Sequence, residues 1–172
     1  MKLTAGFLCS LLLAPPSIIF AAEASKSTPA TKPAPATKSV SVAKPALSKS
    51  EKAIYDHYLK MQAGLAADSV KVVKANATAI ANSVRSNTKS FTPDVAKQAD
   101  ALAEAKDLKA ARSALKDLST SMIKLLGERT VAKGTYYEAY CPMVEASWLQ
   151  EGKAIKNPYM GKAMLDCGEI KN

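Results

Sequence analysis

The chain has 172 residues and a mass of 18.2 kDa, which argues for one domain with appendages rather than two domains. With 24 Lys and Arg against 15 Asp and Glu it carries +9, a balance that invites an anionic partner, nucleic acid or an envelope surface. Three cysteines and one histidine exclude tandem zinc fingers, and seven glycines, none in a glycine-rich loop, leave no dinucleotide or phosphate-loop fingerprint.

Residues 1–24 read as a secretory signal peptide. Lys2 gives the positive start, Leu3 to Leu13 is mostly apolar, and Ala22-Glu23-Ala24 fits the small-x-small cleavage pattern. Pro15 and Pro16 interrupt the apolar run and no stop-transfer segment follows, so cleavage and export to the periplasm are expected over a retained anchor. Cys9 lies within that segment, which leaves Cys141 and Cys167 in the mature chain.

Residues 25–50 hold four prolines, nine Ser or Thr, five Ala and five Lys, with no acid and no aromatic. Such a stretch cannot bury enough apolar surface to offset its chain entropy, so it is expected to be a disordered tether. Its lysines, Lys26, Lys32, Lys38, Lys44 and Lys49, are spread singly and suit either a soluble spacer or contact with an anionic envelope surface. Removing Lys2, Glu23 and these five lysines leaves 18 basic and 14 acidic side chains on residues 51–172, an ordinary charge for a soluble domain. Export also takes the chain away from nucleic acid, so no nucleic-acid partner is expected.

From Glu51 the apolar residues follow a helical period. The first predicted helix starts behind Ser48 or Ser50 and runs to about Ala66, with Ile54, Tyr58, Met61 and Leu65 on one stripe. Asp68 is the expected cap of a second, with Val70, Val73, Ala77, Ile80, Ala81 and Val84 inward. Thr92-Pro93 signals a third, running to about Ala105, and Asp107 the start of a fourth, which carries Leu108, Ala111, Leu115, Leu118, Met122 and Leu125 toward Gly127. Short connections make an all-α, antiparallel four-helix bundle the expected fold, with an irregular, aromatic- and sulfur-rich C-terminal segment packed on it. The expected state is a monomer.

The helices carry no carboxylate–histidine set for a di-iron centre and no Cys-x-x-Cys-His. His57 is the single histidine, beside Tyr58 of the inward stripe, and no nucleophile elbow accompanies it. No catalytic residue is therefore assigned, and the chain is not read as an enzyme.

Residues 136–172 differ in kind. They hold half of the chain's ten aromatics (Tyr136, Tyr137, Tyr140, Trp148 and Tyr159), both mature cysteines and three methionines. Cys141 and Met143 share a face if that piece is extended, and Met160, Met164 and Cys167 share one if the chain after Pro158 is helical. Thiolate and thioether together select Cu(I) or Ag(I) over hard cations. Cys141, Met143, Met164 and Cys167 are the candidate ligands, with Met160 and His57 as outlying members. The same two cysteines, 26 positions apart, are natural disulfide partners, a bond that stabilises by roughly 3 to 4 kcal/mol in the loop-entropy model. In that case the segment is a structural module, and Trp148 and Tyr159 are the expected docking residues of an envelope-protein partner.

Tyr140-Cys141-Pro142-Met143, Trp148-Leu149, Asn157-Pro158-Tyr159, Gly161, Met164 and Cys167-Gly168 together resemble an uncharacterised bacterial exported domain family. Its members occur alone or fused to the C-terminus of periplasmic adaptors of copper/silver-type heavy-metal efflux systems. Tyr58, Leu65-Ala66-Ala67-Asp68 and Ala111-Arg112 extend the resemblance upstream, so that it spans about residues 51–172 and is strongest after 136. Met160 stands where many relatives carry an aromatic, and the stretch between Met143 and Trp148 is short for the family. The resemblance implies a helical-bundle domain that binds or passes on a heavy metal, with Cys141, Met143, Met164 and Cys167 at the matching sulfur positions and an efflux adaptor as partner.

Overall fold

The computed structural model describes residues 44–87 and 89–171; the expected signal peptide, residues 1–24, and residues 25–43 of the expected tether lie outside them. Among the described residues four helices come first: α1 (Lys49–Ala66), α2 (Val70–Ser86), α3 (Pro93–Ala103) and α4 (Leu108–Gly127). Three strands follow, β1 (Tyr137–Cys141), β2 (Ala146–Gln150) and β3 (Glu169–Ile170), with a 3-10 turn at Gly161–Met164 between the last two. Among the described residues no helix is long and apolar enough to cross a membrane.

Helix α1 begins with a capping box. The Glu51 N–H donates to Ser48 Oγ (3.2 Å), and the Ser48 N–H donates to Glu51 Oε2 (2.7 Å), so two backbone donors of the first turn are satisfied reciprocally. Glu51 is buried, and its other oxygen takes the Arg129 guanidinium at 2.7 Å, which ties the start of α1 to the segment after α4. The chain before α1 belongs to the same assembly. The Thr130 N–H donates to the Pro45 carbonyl (2.8 Å) and its hydroxyl to the Lys44 carbonyl (2.6 Å). Residues 44–50, assigned by composition to the tether, are thus part of the folded unit.

The expected stripe of Ile54, Tyr58, Met61 and Leu65 is fully buried, as are Val73, Ala77 and Ile80 of α2. Thr92 and Pro93 start α3, and the Asp107 carboxylate caps α4 through the Ala110 N–H (2.8 Å). Successive helices pack on one another, and α1 also reaches α4 through two buried tyrosines. Tyr55 Oη donates to the Met122 carbonyl (2.7 Å), and Tyr58 Oη meets Ser119 Oγ at 2.7 Å.

The expectation for Asp68 is corrected. Ser69 precedes α2 and makes no side-chain capping bond, while Asp68 sits at φ 59° with its carboxylate turned to Arg112 of α4. A long-range ion pair holds the residue that local pattern assigned to a helix end.

The all-α expectation is corrected as well, because the C-terminal segment, irregular over most of residues 151–168, also holds three strands. Its strands form an antiparallel sheet in the order β2-β1-β3, with Ala139 opposite Trp148 and Cys141 opposite Ala146. Tyrosines and a tryptophan suit a pleated, half-buried surface, and Pro142–Glu145 makes the hairpin turn. The free edge of β2 is closed by side chains: the Leu149 N–H donates to Tyr58 Oη (3.2 Å), and Tyr159 Oη donates to the Ser147 carbonyl (2.8 Å). An edge sealed this way offers no template to another strand. The helix after Pro158 that would align the sulfurs is also absent. Gly161 at φ 60° and Gly168 at φ 139° break the run, leaving one 3-10 turn, so Met160, Met164 and Cys167 do not share a helical face.

Candidate functional site

The sulfur atoms converge at the end of β1. Cys141 is its last residue and is fully buried. Cys167 stands just before Gly168 and β3, which pairs with β1 through Tyr140 and Glu169. This pairing brings the two cysteines together across 26 positions, with Sγ–Sγ 3.4 Å. Met143 lies in the hairpin turn, 61% exposed, with its Sδ 3.6 Å from Cys167 Sγ. Cys141 and Met143 therefore do not meet along an extended strand, as the two-residue spacing suggested; the turn folds Met143 back onto Cys167.

The other candidates stand apart from these contacts. Met164 is 38% exposed and offers its backbone carbonyl, not its sulfur, to the Cys167 N–H (3.2 Å). Met160 is half-buried against the core. The hydrogen bond of His57 is to Asn76 of α2, at 3.0 Å. Trp148 is fully buried and Tyr159 nearly so, their rings edge-to-face with centroids 6.0 Å apart, so neither provides the docking surface expected of it.

Asn157, which sequence pattern did not single out as a site residue, organises the approach to the cysteines. It is fully buried. Its Nδ2 donates to the Cys167 carbonyl (2.6 Å), and its Oδ1 accepts from the N–H groups of Tyr159 (2.8 Å) and Met160 (3.1 Å). Its own N–H donates to the Leu165 carbonyl (2.7 Å). One side chain thereby fixes both ends of the loop that delivers Cys167. Gly168 completes the fit, since a Cβ there would meet the Tyr140 carbonyl oxygen at 2.8 Å and Trp148 Cη2 at 2.9 Å.

The start of that loop is anchored to the helices by Arg112. Its Nε donates to the Pro158 carbonyl (3.0 Å), and its Nη2 donates to the Leu65 carbonyl (3.3 Å) and pairs with Asp68 Oδ1 (2.5 Å). Asp68 Oδ2 accepts from the Lys162 N–H (3.4 Å), and Gly161 leaves the space this cluster fills. The residues that carried the resemblance upstream and downstream thus meet at one joint. A sequence shows both sets but not that they touch.

The two thiols are unequal. Burial pushes the Cys141 thiol up, but hydrogen bonds from the Cys167 thiol, the Val144 N–H, the Asn157 side chain and the Met143 N–H outweigh it, and the net shift is downward. Cys167 moves the other way: its hydrogen bond to Cys141, burial, and the charges of Cys141 and Asp166 raise it. The arrangement favours a Cys141 thiolate accepting from a Cys167 thiol. Among the described residues no group of three or more His, Cys, Asp or Glu is placed to hold a metal ion. The soft donor beside the two thiols is the Met143 thioether, a group that hard cations do not take.

A family model described as a protein of unknown function (DUF3347) matches residues 54–134. The match takes in most of α1 and all of α2 to α4 and ends before β1, so the chain is similar to an uncharacterised domain family over its helices. No curated protein and no solved structure matches the chain.

Proposed function

We propose that this protein is exported to the periplasm and binds Cu(I) or Ag(I) as cargo through Cys141, Cys167 and Met143, as a buffer or relay beside a heavy-metal efflux adaptor rather than as an enzyme. The observation that carries the reading is the contact of three soft donors, at 3.4 and 3.6 Å, from a strand, a turn and a distant loop. Metal–sulfur bonds of about 2.3 Å, as in zinc–thiolate sites, put trigonal sulfur ligands about 4 Å apart. The observed contacts would open by roughly half an ångström to admit an ion. Exposed Met143 gives the ion a way in and out, while buried Cys141 supplies a thiolate that persists below the ordinary thiol range.

In this reading the helices form an antiparallel bundle, since short connections return each helix along the last. The bundle holds the sulfur-bearing sheet through Tyr58, Arg112 and Asp68. The lysine-bearing tether gives the monomeric domain reach from an anionic envelope surface, and the resemblance to domains fused to efflux adaptors supplies the partner.

The test is a free-thiol assay on protein purified from the periplasm, followed by Cu(I) titration of the reduced chain against a competing chelator. One tight equivalent is expected, lost in Cys141→Ser and weakened about tenfold or more in Met143→Leu, a change of at least about 1.4 kcal/mol. Fully oxidised cysteines with no Cu(I) binding after reduction would sink the reading. The proximity of Cys141 and Cys167 favours a second one, an envelope-interaction module in which the pair is a permanent structural disulfide. It leaves Met143→Leu without effect on any measured property.

A further inference from the structure

We infer that Cys141 and Cys167 form a dithiol–disulfide couple whose oxidised form is reduced from outside by a dithiol that attacks Cys167 and expels Cys141. The inference rests on the placement of the sulfurs in the proposed metal site and deepens that reading, because only the reduced pair can hold an ion.

The direction of attack follows from access. Cys141 is fully buried at the end of β1, whereas Cys167 is partly exposed on the loop before Gly168. An incoming thiolate must approach in line with the bond it breaks, and the sulfur it can reach is Cys167. The sulfur expelled is then Cys141, 3.4 Å away and closed off from solvent. Thiol–disulfide exchange depends on which sulfur the attacking thiolate can reach, so access selects this polarity.

The steps balance. The pair becomes a disulfide by passing two electrons and two protons to a disulfide donor, which is released as two thiols. In the return direction one thiolate of the reductant bonds to Cys167 Sγ as the Cys141–Cys167 bond breaks and its electron pair stays on Cys141. The reductant's second thiol then attacks its own sulfur in the mixed disulfide, Cys167 leaves and takes up a proton, and the reductant departs as a disulfide. This external partner is a dithiol with a solvent-facing attacking thiol. Met143, exposed beside Cys167, is the apolar contact it meets first.

Full-length protein is oxidised with diamide, desalted, exposed briefly to reduced glutathione as a monothiol probe, quenched in acid and mapped by peptide mass spectrometry. Glutathione is expected on Cys167 at least tenfold over Cys141, from an intramolecular disulfide formed in the monomer. Equal labelling, preference for Cys141, or failure of diamide to form the intramolecular bond overturns the inference. Cu(I) titration of the reduced protein is independent of this outcome. Copper binding with glutathione on Cys141 removes the couple's polarity and leaves the metal reading, whereas selective attack on Cys167 without copper binding does the reverse.

Discussion

Replacing Gly161 with alanine tests whether the Asp68–Arg112 joint holds the sulfur-bearing loop to the helices. Gly161 lies at φ 60°, where a residue with a Cβ is strained by roughly 1 to 2 kcal/mol. The new Cβ would also overlap Arg112 Nη2 and Asp68 Oδ1, so at least one side chain must leave the cluster. Arg112 and Asp68 are 21% and 31% exposed, and a charge-assisted bond in such a place contributes about 1.5 to 3 kcal/mol, toward the lower end where water screens it. Gly161→Ala should therefore destabilise by about 3 kcal/mol in all. Gly152 is the control, since it has φ 73° but no heavy atom within 4 Å of an added Cβ, and its alanine variant should lose only the backbone part, about 1 kcal/mol. Urea unfolding followed by circular dichroism, with m-values compared, gives both numbers. If Gly161→Ala costs no more than Gly152→Ala, the joint does not bear on the stability of this loop.

Two further outcomes follow from the geometry. Tyr58→Phe leaves the Leu149 N–H and Ser119 Oγ without the phenolic oxygen they share, and should cost about 1 to 3 kcal/mol in the same unfolding assay; a loss below about 0.5 kcal/mol would mean the edge of β2 is held otherwise. Because the folded-state pKa of Cys141 lies below its ordinary value of 9.0, the unfolded chain binds more protons just under that pH. The contribution of the pair is then largest near 9, above which the raised Cys167 thiol offsets it, and it is lost as pH falls through the folded value of Cys141, so the advantage of wild type over Cys141→Ser should shrink on acidification below 9. Unfolding curves for both proteins from pH 9 downward check the sign, and a constant difference would contradict it.

Local signals were legible where the partners lie close in sequence. Ser48, one of the two caps offered for α1, Thr92-Pro93 and Asp107 each stand at the helix start they signal, and the buried stripe of α1 follows from spacing alone. Asp68 failed that logic because its partner is 44 residues away in α4, and the gain from the ion pair outweighs a cap. The strands were missed for a related reason. Five-residue runs are too short to show a period against neighbouring helices, and only their pairing, from Tyr137 with Gln150 to Cys141 with Ala146, defines them. Trp148 looked like an anchor because aromatics concentrate there, but its indole N–H is satisfied inside by Gln150 Oε1 at 2.9 Å, which lets the ring be buried. The composition of residues 136–172 marked where the sulfur is; which sulfurs meet depended on a turn, a strand pairing and the amide of Asn157.

The central claim is that Cys141, Cys167 and Met143 together hold one soft ion, and X-ray absorption at the copper edge of the reduced protein loaded with one equivalent of Cu(I) tests it most directly. The expected spectrum shows three sulfur scatterers at about 2.3 Å, falling to two in Met143→Leu. Nitrogen or oxygen ligands, or a two-sulfur shell unchanged by Met143→Leu, would contradict the claim.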